Sequence, residues 1–230
     1  MKKALLALPL LLAGAITSAS AQVEIGLKVS PSISTLRVDS PASLGFTSDG
    51  SKLGIGGGLV VDYFFGQNYA FSTGLQLTSK GGKIAYIDQT APGNANLVTR
   101  TQKISLQYVE IPVTVKLFTN DIATDTKLYF QVGGSVNAAV AGRINGSKFY
   151  TDPATGSEMK ASKHFIIPDA ALLGGLGVEY QLGQSTKVFG GLSYHRGLFN
   201  IERYFDKERT NMQGVTLKNN EVALDLGLKF

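Results

Sequence analysis

The 230-residue chain has no cysteine, no tryptophan and only two histidines. Without cysteine there is no disulfide framework, and a thiol nucleophile or a cysteine-held metal is excluded. Two histidines among scattered carboxylates lack the ligand spacing of a zinc site. TDPATGSE at 151–158 is acidic and hydroxyl-rich but does not match a calcium loop of the EF-hand type. Basic residues form no run, and the formal net charge is only +5, so there is no nucleic-acid footprint. Beyond residue 21 no apolar run reaches the roughly 18 residues of a membrane-spanning helix, and no long helical periodicity is present.

The first residues read as a leader. Lys2 and Lys3 precede a short apolar run from Ala4 to Ile16, and Ala19-Ser20-Ala21 has the A-x-A form of a cleavage site. A secretory signal peptide is therefore expected over 1–21. A single β-barrel domain is expected over 22–230, with a formal charge of +3 once Lys2 and Lys3 are gone.

Period-two alternation dominates the remainder. It predicts strands near 22–33, 52–65, 69–80, 104–117, 127–142, 166–182, 187–199 and 221–230. The last is the plainest: in EVALDLGLKF, Val222, Leu224, Leu226, Leu228 and Phe230 alternate with Glu221, Ala223, Asp225, Gly227 and Lys229. Connections alternate between long and short, the short ones at Gly66-Gln67-Asn68, after Leu117 and at 183–186. Such an order collects the long loops at one end of an up-and-down barrel, the layout of outer-membrane barrels with short periplasmic turns and long extracellular loops. The prediction is an all-β, eight-stranded antiparallel transmembrane barrel. The last strand should lie beside the first, because an open edge in lipid leaves backbone groups unpaired.

Alternation does not say which face looks inward, but three features favour apolar-out. The polar face carries mid-strand charges: Glu24, Lys28, Asp62, Glu110, Lys116, Asp169, Glu179, Asp225 and Lys229. Much of that face is otherwise glycine or serine, as a narrow interior requires. Aromatics crowd the short turns: Tyr63, Phe64, Phe65, Tyr69 and Phe71, then Phe118, Tyr129 and Phe130, then Tyr180. All of these read as an inner membrane girdle. Pro112 sits inside a strand and should mark a bulge or another strand irregularity.

Three segments go beyond periodicity: YVEIPVTVKL at 108–117, PDAALLGGLGVEYQL at 168–182 and GGLSYHRGLFNI at 190–201. With the terminal aromatic strand, they resemble the PorT-like outer-membrane β-barrel family of Bacteroidetes over about 22–230. The resemblance implies an outer-membrane location, a secretion-accessory role through the type IX system, and recognition of the C-terminal strand by the outer-membrane assembly machinery. It brings no catalytic residues.

The function expected is a non-enzymatic barrel embedded in outer-membrane lipid, with no cofactor and a lumen filled by side chains. That lumen network is Glu24, Lys28, Glu110, Lys116, Asp169, Glu179, His195, Asp225 and Lys229. Loops 144–164 and 201–216 are where a protein partner would bind, although IERYFDKER at 201–209 reads first as a solvated surface loop. A small solute channel is one alternative. A hydrolase is another: Ser193 and His195 share a strand face, and Asp169 or Glu179 could orient the histidine. The plainer reading has His195 hydrogen-bonding at the lumen mouth and His164 exposed in a loop.

Overall fold

The computed structural model describes residues 22–88, 98–152, 156–209 and 211–230. The leader expected over 1–21 lies outside them, as does part of 151–158. The fold is almost all β. In chain order it runs β1 (Val23–Asp39), β2 (Thr47–Gly50), β3 (Lys52–Gly66), β4 (Tyr69–Asp88), β5 (Val98–Phe118), β6 (Thr126–Ile144), β7 (Phe149–Thr151), β8 (Glu158–Lys160), β9 (Pro168–Gln181), β10 (Lys187–Gly197), a short helix α1 (Tyr204–Glu208) and β11 (Thr216–Lys229).

The long strands form a β-barrel-like antiparallel fold. β1 pairs with β3, β3 with β4, β4 with β5, β5 with β6, β6 with β9, β9 with β10 and β10 with β11. β11 then pairs with β1, Lys229 opposite Gly26 and Ala223 opposite Ser32. Ile25 and Phe230 exchange backbone hydrogen bonds at 3.2 and 2.9 Å, so the last strand lies beside the first. Each of these strands thus has a partner on both sides, which satisfies the backbone groups that lipid cannot.

Side chains sort by strand parity. Val222, Leu224, Leu226, Leu228 and Phe230 are 42–61 % exposed on the outer face, while Glu221, Asp225 and Lys229 between them are buried. The outer face of β1 is likewise apolar and exposed through Val23, Ile25, Leu27 and Val29. In water each such side chain would forfeit roughly 1.5–3 kcal/mol relative to an apolar surrounding. This inside-out distribution is what a lipid-facing surface requires.

Several strands are longer than the alternation suggests; β4 has 20 residues and β5 has 21. The reason is an inversion of phase. Along β4 the outward Tyr69, Phe71, Leu75 and Leu77 give way to inward Ile84 and Tyr86. Along β5 the outward Leu117, Val115, Val113 and Ile111 give way to inward Tyr108, Leu106 and Ile104. The strands continue past the apolar-out band into a region whose core is inside.

Pro112 marks a strand irregularity rather than a bulge. It pairs with Ser135 of β6, and toward β4 the ladder lapses opposite it without a change of register, Thr73 Oγ1 donating to the Pro112 carbonyl at 2.8 Å. The register shift on β5 falls at Gln107/Tyr108 instead.

Candidate functional site

The barrel interior has three layers, of which the middle, polar one has two tiers. The lowest, near the short turns, is aromatic: Phe118, Tyr129 and Phe189 are buried with Val60 and Ala70, and Phe64 packs on them. Three aromatics expected in the girdle, Phe64, Phe118 and Tyr129, therefore point inward. Tyr63, Phe65, Tyr69, Phe71, Phe130 and Tyr180 are exposed on the outer face. Parity separates the two groups. The inward rings also explain glycine at 177, 191 and 227. A methyl at Gly177 or Gly191 would run into the Tyr129 ring, and one at Gly227 into Phe189.

Above the aromatics lies a charged layer. Lys229 donates to Glu179 and lies 2.6 Å from Asp62 and 3.6 Å from Glu24. Lys116 also holds Asp62, at 2.9 Å, and Lys187 holds Glu24 at 2.5 Å. Lys28 pairs with Asp225 at 3.0 Å, and Ser30 donates to the same carboxylate at 2.6 Å. Four lysines thus face four carboxylates, a neutral set. The ammonium groups of Lys116 and Lys229 also lie 5.5–5.8 Å from the rings of Tyr129, Phe118 and Phe189, within cation–π range.

Further up, Lys80 lies 2.7 Å from Glu110 and 3.5 Å from Glu221. His195 places Nδ1 3.1 Å from Glu110 and Nε2 3.3 Å from Ser193 Oγ. Asp169 accepts from Asn219 at 3.2 Å, and Asn219 also donates to the Tyr108 hydroxyl at 3.1 Å. The acid beside His195 is thus Glu110 on β5, not Asp169 or Glu179. Ser193, His195 and Glu110 are 2, 5 and 0 % exposed, so all three lie buried in the interior.

Among the described residues, two trios of possible ligand atoms come within 4.8 Å of one another: Glu110, His195 and Glu221, and Glu24, Asp62 and Glu179. Each already has a lysine ammonium among its carboxylates, Lys80 in the first and Lys229 in the second. The charge a metal would bring is supplied by the chain.

The third layer closes the end that carries the long connections. Leu36, Ile84, Tyr86, Ile104, Leu106 and Leu217 from the strand ends pack with Leu44, Phe46, Phe165, Ile201, Phe205, Met212 and Val215 from the connections. Segment 201–209 is therefore no solvated loop: Ile201, Tyr204, Phe205 and Arg209 are buried. His164 is buried as well, its ring 4.2 Å from that of Tyr204. Arg209 binds both Asp152 oxygens at 2.7 Å and Asp88 at 2.7 Å, and Arg100 holds Asp88 from the other side at 2.6 Å. Tyr204 donates to Asp152, and the Arg203 amide to the His164 carbonyl at 3.1 Å. The two connections 145–167 and 198–215 are thereby tied into one cap.

Burial sets two unusual acidities in the cap. It pushes the Glu202 carboxyl up to about 7, although the Phe205 amide donates to it. It pushes His164 down to about 4 against the pull of Asp152.

Of the residues singled out from the sequence, Glu24, Lys28, Lys116, Glu179, Asp225 and Lys229 meet in the charged layer. Glu110 and His195 meet above it, and Asp169 stands beside Asn219. Sequence reasoning misses Lys80 and Lys187, and it places Glu221 only on the polar face of the last strand, without a partner. It also misses the Asp88–Arg100–Asp152–Arg209 cluster, whose members come from four separate stretches. For Lys80 a signal exists: it continues the inward parity of Ser72, Gln76 and Thr78.

No curated protein matches the chain. Similar solved structures include Neisserial surface protein A, at 13 % identity over 92 % of this chain and 98 % of that one, with a TM-score of 0.49. Another is Ail, the attachment invasion locus protein of Yersinia pestis, at 12 % identity over 91 and 99 % with a TM-score of 0.41. OprG of Pseudomonas aeruginosa is similar at 11 % identity over 90 and 95 %, with a TM-score of 0.44. The family model described as outer membrane protein beta-barrel domain matches residues 17–217. With its lipid-compatible outer face and polar interior, the chain belongs to the outer membrane protein beta-barrel domain family, and its place is the outer membrane.

Proposed function

We propose that the chain is an eight-stranded up-and-down barrel, short turns toward the periplasm and long connections outside, that works without catalysis by presenting its cap to a protein partner. The observation that carries this reading is the filled interior. An aromatic layer, a neutral ion-paired layer and an apolar cap follow one another along the axis among the described residues, an order that favours a filled lumen over a solute path. The cap's outer surface is different. Between its two connections lies a groove of about 400 Å³ lined by Met159, Lys163, Arg203, Lys207 and Glu208. Ordered loops on a rigid scaffold are where binding concentrates.

The narrower PorT-like resemblance adds the kind of partner, a component or cargo of a secretion system. Deleting the gene and comparing supernatant and outer-membrane proteomes tests this. Loss of secreted cargo, restored by the wild-type chain but not by R203E/K207E, is the expected result; unchanged secretion would discard the secretion role.

A second reading has one observation behind it, the Ser193–His195–Glu110 alignment. A lipid-hydrolase activity of the purified barrel that H195A abolishes would favour it over the non-enzymatic reading.

A further inference from the structure

The lower charged layer of the lumen balances, four lysines to four carboxylates, but the outer surface at the long-connection end does not. Lys83 on β4 and Lys103 on β5 are exposed and stand directly opposite each other in the ladder. Like charges in that position repel. On the next strand Arg143 is opposite Ser105, one outward position from Lys103. Lys148, just before β7, and Lys160, the last residue of β8, join Arg143 around a groove of about 410 Å³. None of these five cations has a carboxylate within 4 Å among the described residues. Residues 89–97, 153–155 and 210 contain no Asp or Glu that could supply one.

The groove also has an apolar side. Val140 and Phe149 line it, and both are more than half exposed. Below Val140 the outer face of β6 continues with Val136 and Val132, also exposed. The register shift between Gln107 and Tyr108 makes Val140 the extra residue of β6, so parity reverses there and Arg143 is aimed outward. The cations therefore stand where the lipid-facing column ends.

We propose that this groove binds the phosphorylated headgroup of an outer-leaflet lipid, with the lipid's acyl chains running down the Val140–Val136–Val132 column. The inference rests on the orientation proposed above. Charge complementarity and continuity with the lipid-facing surface select this occupant: a phosphate neutralises Arg143, Lys148 and Lys160 together, and arginine suits bidentate contact with it.

The test is native mass spectrometry of the purified full chain in detergent, titrated with phosphatidic acid, phosphatidylcholine or inorganic phosphate. The variant is R143Q/K148Q/K160Q. K163Q/R203Q/K207Q removes the same charge from the other groove, and both are first checked for folding by the mobility difference between heated and unheated samples. Phosphatidic acid should be retained by the wild type and by K163Q/R203Q/K207Q. It should bind on the order of 100-fold more weakly to R143Q/K148Q/K160Q, with phosphatidylcholine weak throughout. Equal loss in both variants, or loss in neither, would overturn the site. So would inorganic phosphate binding as tightly as the lipid, since the acyl column would then contribute nothing. A chain that fails to insert into vesicles at all would instead overturn the barrel reading beneath the inference.

Discussion

Lys229 shows how much one lumen residue can decide. Its ammonium is shared by Glu179, Asp62 and Glu24, and replacing it with methionine leaves those carboxylates short of a counter-charge. A buried pair adds little net stability when intact, but breaking one costs about 3–5 kcal/mol. Urea unfolding of K229M in vesicles should show a loss of that size. K229M/D62N should recover part of it, because one of the stranded charges is gone. At Gly191 the constraint is shape. An alanine methyl would meet the Tyr129 ring and the neighbouring backbone, and overpacking of this kind costs about 1–3 kcal/mol, so G191A should unfold at lower urea than wild type. These positions were legible as inward from parity alone. Their partners were not: a period-two pattern says which face a lysine is on, not which of several facing carboxylates it reaches across a lumen. Hence Glu110, not Asp169 or Glu179, stands beside His195.

At the scale of the element, the cap is pinned by one ion-pair cluster and should respond to its loss. Arg209 joins Asp88 of β4 to Asp152 of the β7–β8 connection. In R209A the connection 198–215 should come loose, and trypsin added to intact cells should cut at Arg203 or Lys207, sites that resist in the wild type. Two buried groups make the cap sensitive to pH in opposite senses. Glu202 is raised from 4.5 to about 7. The folded cap holds that proton more tightly than the unfolded chain, so its stability falls as pH rises from 4.5 through 7. His164 is lowered from 6.5 to about 4. The unfolded chain takes that proton first, so stability falls as pH drops from 6.5 toward 4. Between about pH 4.5 and 6.5 the two slopes offset each other, and wild-type cap stability should be nearly flat there. H164F, which keeps a ring against Tyr204, should leave only the decline with rising pH, and E202Q only the decline with falling pH. Hydrogen exchange of amides 201–209, corrected for intrinsic rate, reads both slopes; parallel profiles for the two variants would reject the assignment.

The cap was also the element least visible in the sequence. Its segments carry no periodicity, and IERYFDKER looks solvated until Ile201, Tyr204 and Phe205 are seen to face Ile84, Tyr86 and Phe46. One signal was present: apolar residues change parity along β4 and β5, outward through Leu77 and Ile111 and inward at Ile84 and Ile104. Such an inversion marks the point where a strand leaves lipid and begins to line a water-shielded core. The girdle aromatics illustrate the same rule from the other end, since Phe64, Phe118 and Tyr129 differ from Tyr63, Phe130 and Tyr180 only in parity.

For the whole molecule, the strand pairing follows from length alternation and from the cost of an unpaired edge, which together require β11 to meet β1. What chain-wide patterning could not supply is whether the interior is open. Lumen charges could line a path as readily as fill one, and only the distances between Lys229, Lys116, Lys187 and their carboxylates, with aromatics below and the cap above, favour filling. Planar-bilayer recording of the purified barrel tests this central claim most directly. A barrel filled in this way should insert without a stable ionic conductance, and R209A, which loosens the cap alone, should stay closed because the charged and aromatic layers remain. A steady conductance in the wild type, with an ion selectivity that shifts in K116A, would contradict the account and return the lumen to the role of a channel.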